Sequence, residues 1–208
     1  MHAQSDFTSF GESEFAVNHK VSQDYKINFK LGTRYYLYRN DEVNAQFRQI
    51  DIAHFSTLSL TFNHSVSLGA QYRNRDWFED SSNELRLTQQ FNYTKKRFSK
   101  RFGHRIRLEE RIFDASTTFR ARYRFALDFP LNGERLDTGE AYMVSSMEAL
   151  WSMNKLIAPE LDHRTTIQVG YQLSKQFKIQ AGVQYRFEAL NIDTKQRLFI
   201  LTSGILKI

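Results

Sequence analysis

The amino-acid sequence predicts an all-β fold, an antiparallel up-and-down transmembrane β-barrel with a polar, Arg/Glu-rich lumen. Three observations carry that expectation. Apolar and polar residues alternate with a period of two along nearly the whole chain, and alternate strand residues point to opposite faces. Many of the alternating runs reach the roughly 9–11 residues needed to cross a bilayer at a tilt, where soluble strands average about 5–6. Aromatic residues gather near the run ends, Tyr25, Phe62, Tyr93, Phe129 and Phe177 at one end and Tyr35, Trp77, Trp151 and Phe187 at the other, as two interfacial girdles require.

Bulk properties narrow the class. A chain of 208 residues is one domain, read as a barrel over 7–208, and is long enough to close on itself. With 2 Pro and 9 Gly against 18 Phe and 10 Tyr, it is rich in strand-favouring aromatics. No run approaches the ~20 apolar residues of a helical span. The absence of cysteine excludes a disulfide framework, a thiolate nucleophile and a Cys-ligated metal. The net charge of +6 comes largely from arginines inside the alternating runs. That argues against a nucleic-acid partner, for which exposed basic clusters are expected. No apolar segment of signal-peptide type follows Met1. Residues 1–6 are therefore read as a stub left after signal removal.

The first run, about Phe7 to Val21, places Phe15, Val17, His19 and Val21 on one face and turns at Ser22-Gln23-Asp24. Tyr25 to Tyr38 sets Ile27, Phe29, Leu31 and Tyr35 against Lys26, Asn28, Lys30 and Arg34. After a loop at 40–44, Gln49 to Phe62 carries Ile50, Ile52, Leu58 and Leu60 on one side. A turn at Asn63-His64-Ser65 leads to Val66, Leu68, Ala70 and Tyr72, backed by Ser67, Gln71, Arg73 and Arg75. The polar loop 79–83 precedes Leu85, Leu87, Phe91 and Tyr93, with Glu84, Arg86, Thr88, Gln90 and Asn92 behind them.

The basic stretch 95–101 then reads as a connection to the sharpest pattern in the chain, the hairpin 104–130. Its first strand opposes Arg105, Arg107, Glu109 and Arg111 to Ile106, Leu108 and Ile112. Its second opposes Arg120, Arg122, Arg124 and Asp128 to Phe119, Tyr123, Phe125, Leu127 and Phe129. A polar connection at 132–139, a strand at 140–151 and a longer loop at 154–162 follow. His163 to Leu173 then turns at 174–176 into Phe177, Ile179, Val183, Tyr185 and Phe187, backed by Lys178, Gln180, Gln184, Arg186 and Glu188. Arg197 to Ile208 closes the series with Leu198, Ile200, Leu206 and Ile208. About eleven runs are legible. Because single-chain bacterial barrels have even strand numbers, twelve is the first expectation and ten the second. Turns alternate between short (22–24, 63–65, 174–176) and long (40–45, 79–83, 154–162), as periplasmic turns and outer loops do.

The competing architecture is a soluble barrel with the apolar face inside. The length of that face argues against it, although Glu110, His54 and Gln89 interrupt it. The runs R-I-R-L-E-E-R-I-F and T-F-R-A-R-Y-R-F-A-L-D-F-P-L, with the G-x-x-Y shapes at Gly69–Tyr72 and Gly182–Tyr185 and the Gly170-Tyr171 step, resemble the bacterial barrel family catalogued as domain of unknown function 2490. The resemblance runs from about Phe15 to the C-terminus. It implies an outer-membrane barrel made with a signal peptide and supplies no functional residue.

The expected lumen network is Arg105, Arg107, Glu109, Arg111, Arg120, Arg122, Arg124, Asp128, Glu148, Arg164, Arg186 and Glu188, with Glu109 and Glu148 bridging several guanidiniums. The expected lipid-facing set is Phe119, Tyr123, Phe125, Phe129, Phe177 and Tyr185. Catalysis is not expected, since Asp162 and His163, the one acid–histidine step near an outer loop with Ser152 across it, are adjacent and point to opposite faces. Neither a cofactor nor a metal is expected, because no His-x-His spacing or phosphate loop occurs. The first functional reading is a non-enzymatic structural or accessory protein of the bacterial outer membrane, with lipid and other envelope proteins as partners. The alternative is a small anion-favouring pore or ligand-binding transport barrel, and the third is an outer-membrane lipid hydrolase.

Overall fold

A computed structural model describes residues 7–39 and 41–208, so the stub at 1–6 lies outside the described residues. Among the described residues, twelve strands follow one another without a helix. The first six are β1 (Thr8–Lys20), β2 (Tyr25–Arg39), β3 (Glu42–Val43), β4 (Phe47–Ser59), β5 (His64–Asn74) and β6 (Glu84–Arg97). The rest are β7 (Lys100–Ile112), β8 (Thr117–Pro130), β9 (Ala141–Asn154), β10 (Glu160–Gln172), β11 (Phe177–Glu188) and β12 (Lys195–Lys207).

Each long strand pairs with its neighbour in sequence, and β1 also pairs with β12, so the wall closes. The two-residue β3 folds back onto the end of β2 and stays out of the wall. The eleven legible runs are the eleven wall strands, and β3 is the twelfth. With eleven up-and-down strands the first and last run the same way, so the closing pair, from Thr8↔Arg197 to Asn18↔Lys207, is parallel. The other wall pairs are antiparallel. The even-number regularity does not constrain this chain because a parallel ladder also satisfies the backbone, and closure leaves no strand edge open.

Two connections differ from their sequence reading. The basic stretch 95–101 is ladder, not loop: Lys95 pairs with Phe102 and Lys96 with Arg101, and only Phe98-Ser99 turns, with Phe98 at φ 52°. Charged side chains at strand ends are solvated, so nothing stops the pairing from continuing through them. Asp162, read as loop, lies inside β10. Connections at 21–24, 60–63, 98–99 and 173–176 are short and share one end of the barrel with the longer 131–140. The other end carries 75–83, 155–159 and 189–194 together with the short 113–116 turn.

The alternation sorts the side chains as the pattern requires. Outside, Leu68 is 67% exposed, Ile52 59%, Leu108 54% and Phe29 52%. Inside, every wall strand contributes at least one buried side chain. Gln49, Glu84, Glu109, Leu150 and Phe199 are only 1–2% exposed, and Phe10, Tyr36, Arg73, Thr118, Asp162 and Arg186 are buried beside them on the remaining strands. An open water-filled bore would leave such side chains wet, so the barrel is filled at this level. The small residues Gly69 and Gly170 leave room inside the wall for the Phe55 and Tyr142 rings, which lie where a Cβ would stand.

Candidate functional site: an arginine–carboxylate plug and a basic vestibule

Adjacent strands aim their inward side chains at one another, so one ion pair leads to the next around the wall. Asp51 receives both Nε and Nη2 of Arg73, at 2.7 and 2.8 Å. Arg73 reaches Glu84 at 3.4 Å, and Glu84 also takes Nη2 of Arg86 at 2.6 Å. Arg86 lies 3.9 Å from Glu109, which accepts from Arg122 at 2.8 Å. Arg122 bonds Glu148 at 2.7 Å, and Arg164 stands 4.0 Å from both Glu148 and Asp162. The chain of charges from Asp51 to Asp162 therefore crosses seven consecutive wall strands, β4 to β10. Opposite it, Glu12 accepts from Arg34 at 2.7 Å and faces Arg186 at 3.6 Å.

Above this network, toward the long-loop end, sits an aromatic layer. Phe10 stacks on Phe199 with ring centroids 4.9 Å apart and lies 5.1 Å from Tyr36. A register shift between Arg34 and Tyr35 in the β2–β4 ladder accompanies the placement of Arg48 against this layer. Its guanidinium lies 5.3 Å from the Phe10 centroid and 5.5 Å from that of Tyr36. Glu79, on the 75–83 loop, closes the layer by accepting from the Tyr36 hydroxyl at 2.6 Å and from Arg48 at 3.2 Å. Arg186 lies 3.5 Å from the Phe199 ring centroid on its inner side.

Toward the short-turn end the lumen widens into a cavity of about 1220 Å³, lined among others by Lys96, Arg101, Arg105, Arg124, Lys178 and Lys207. A smaller cavity of about 420 Å³ lies deeper, among Arg34, Asp51, Arg73, Gln90 and Arg107.

Of the expected network, the plug unites Arg107, Glu109, Arg111, Arg122, Glu148 and Arg164, and Glu109 and Glu148 do bridge several guanidiniums. Arg186 joins through Glu12. Arg120 donates to Ser152 at 2.7 Å and Arg105 to Asn92 at 3.0 Å. Asp128 stands apart at the vestibule rim, paired with Arg101 at 2.7 Å. Among the described residues, Glu188 and Arg124 have no oppositely charged group within 4.0 Å. Of the expected outer set, Phe119 and Tyr123 are 53% and 47% exposed, while Phe125, Phe129, Phe177 and Tyr185 are half-buried against neighbouring rings or the rim.

Three acids escaped the reading. Asp51, flanked by Ile50 and Ile52, and Glu12, three residues before Phe15, were both legible from the alternation. Asp162 was hidden by its assignment to a loop. Glu84 was read as inward but not as the hub it is, touching Arg73, Arg75, Arg86 and Arg111. The Asp162–His163 step is split as its spacing predicts. Asp162 accepts from the Ala189 amide at 3.0 Å, while His163 Nε2 contacts the Thr165 hydroxyl at 3.0 Å. Ser152 serves Arg120.

The family model described as "Protein of unknown function (DUF2490)" matches residues 13–197. The chain belongs to this family. No curated protein and no solved structure matches it. The span shared with the DUF2490 family contains every acid and arginine of the plug except Glu12.

Proposed function

We propose that this DUF2490 barrel spans the bacterial outer membrane as a non-enzymatic structural or accessory envelope protein, its lumen sealed by its own salt bridges. The observation that carries this reading is the inverted distribution of polarity. Leu31, Ile52, Leu68, Leu108, Met147 and Val169 stand 47–67% exposed around the outside while carboxylates and guanidiniums are buried inside. A water-soluble monomer seldom exposes a continuous apolar patch beyond a few hundred Å², whereas a barrel in lipid requires such a band.

Outward aromatic contacts mark both edges of the band. His64, Tyr93 and His104 form one row, with centroids 4.9 and 5.8 Å apart, at the short-turn end. Tyr35 and Phe47, 6.1 Å apart, stand at the other. Short turns on the periplasmic side and longer loops outside is the arrangement that fits. Buried lumen side chains on every wall strand favour a sealed barrel over an anion pore.

The test is refolding into lipid vesicles with spin labels at Leu68, Phe119 and Met147, coupled to planar-bilayer recordings. Hydrocarbon-like label environments and no steady conductance are expected. Labels in bulk water would overturn the membrane reading, and a stable anion current would overturn the sealed barrel.

A further inference from the structure

We propose that the vestibule at the short-turn end is a binding site for a phosphate-bearing ligand, with one phosphoryl group held between Arg105 and Arg124. The inference concerns the lumen alone and stands whether or not the barrel sits in a bilayer.

The β7–β8 ladder places two arginine pairs directly across from each other, Arg107↔Arg122 and Arg105↔Arg124. Like charges opposed across strands repel and need compensation. The deeper pair has it: Glu109 takes Arg122 at 2.8 Å and Arg107 at 3.5 Å, Glu148 takes Arg122 at 2.7 Å, and the Gln90 amide oxygen receives Arg107 at 2.6 Å. The outer pair lacks it. Arg105 Nε donates to Asn92 Oδ1 at 3.0 Å. Among the described residues neither Arg105 nor Arg124 has a carboxylate within 4.0 Å.

Both guanidiniums line the 1220 Å³ cavity, and Lys96 and Lys178 line it with them, again with no carboxylate within 4.0 Å among the described residues. Of the acids that line the same cavity, Asp128 is taken by Arg101, Glu148 by Arg122, Glu12 by Arg34 and Glu14 by Lys30, while Glu134 has no cation within 4.0 Å among the described residues. Apart from Arg105 Nε, held by Asn92, the outer pair therefore keeps its donors free of carboxylates, faces the cavity, and is flanked by further cations.

Guanidiniums bind oxyanions through paired N–H donors. A phosphoryl group offers three acceptor oxygens, enough to engage two forks from adjacent strands at once. It also brings up to two negative charges to a cluster of four cations, where a single carboxylate brings one. The cavity volume of about 1220 Å³ exceeds what a single phosphate fills and is above the roughly 300–1,000 Å³ of usual small-molecule sites, so there is room for a ligand that carries more than its phosphoryl group. Soluble phosphate esters and phospholipid headgroups share this chemistry.

The full chain, refolded in a neutral detergent at low salt, is titrated calorimetrically with pyrophosphate, glycerol 3-phosphate and a short-chain phosphatidic acid. Saturable binding of at least one is expected, weakened about tenfold in Arg124→Gln and in Arg105→Gln and unchanged in Lys155→Gln, at the opposite end of the barrel. Binding of pyrophosphate or glycerol 3-phosphate identifies a soluble ligand. Binding of phosphatidic acid alone identifies a lipid headgroup.

Because Arg124 has no partner to lose, Arg124→Gln should fold as well as the parent. Its melting temperature supplies the second readout: at one concentration, pyrophosphate or phosphatidic acid should raise the parent's by clearly more than the variant's. No saturable binding of any probe, or equal binding by parent and Arg124→Gln, would overturn the site.

Discussion

Glu84 and Arg111 form a two-bonded ion pair across the β6–β7 ladder, with Nε 2.7 Å from Oε1 and Nη2 2.9 Å from Oε2. The Glu84 side chain is wholly buried. It reaches that state because four arginines surround it, from β5, β6, β7 and the start of the 75–83 loop. Ionised groups taken out of water are tolerated only when paired and hydrogen-bonded, and Glu84 is the point where that condition is met most fully.

Replacing Glu84 with Gln should therefore be among the most damaging single changes in the lumen. It leaves four guanidiniums without their shared carboxylate, which costs about 3–5 kcal/mol when a buried pair is broken. Urea unfolding of the reconstituted barrel, followed by tryptophan fluorescence and by the gel shift between folded and unfolded forms, measures it. A loss below about 1 kcal/mol would show that water reaches this carboxylate.

The same replacement at Asp128 should do almost nothing. Its partner Arg101 is 61% exposed at the vestibule rim, where ion pairs contribute about 0–1 kcal/mol. Glu109→Gln belongs with Glu84, because its side chain is fully buried between Arg86, Arg107 and Arg122. The ordering Glu84 and Glu109 well above Asp128 is the expected outcome of one unfolding series. Equal losses at all three positions would mean that burial does not set the cost.

Phe199 carries the aromatic layer. It is 1% exposed, stacked on Phe10 at 4.9 Å and covered by Arg186 at 3.5 Å. Phe199→Ala should cost about 3–5 kcal/mol through the cavity it leaves. It should also admit water to Arg186, which hydrogen exchange of the β11 and β12 amides would detect as faster opening near Arg186 than in the parent.

Much of this plan was legible in the chain because a strand has only two faces. Once Phe119, Tyr123 and Phe125 shared one face, Arg120, Arg122 and Arg124 had to share the other, and Glu109 followed on the neighbouring strand. Partnership was harder to read. Glu84 bonds arginines on its own and both adjacent strands, a choice set by register and side-chain reach that no periodicity encodes. The placement of Arg48 in the aromatic layer accompanies a local register shift near Tyr35, which breaks the period-two pattern used to assign faces. Parallel closure was missed for another reason: it depends on the parity of the strand count, and the eleven legible runs were rounded to an even number by the regularity of bacterial barrels.

The outer band offers the sharpest separation between a barrel in lipid and one in water. Leu68 lies near the middle of β5, 67% exposed, opposite Gln89 on β6 and Ser56 on β4. In water, replacing so exposed a leucine with arginine should change stability by no more than about 0.5 kcal/mol. At mid-bilayer an arginine costs about 2–4 kcal/mol, falling to about 0–1 near the interfaces. Phe62 supplies the matched control, since it stands fully exposed on the 60–63 turn beyond the band. Leu68→Arg and Phe62→Arg, each unfolded from phospholipid vesicles, should differ by about 2 kcal/mol or more, the penalty falling on Leu68. The same pair compared in detergent micelles, which deform around a charge, should show a smaller gap. If the two variants match the parent in vesicles, the apolar band does not contact hydrocarbon and the exposed leucines require another partner.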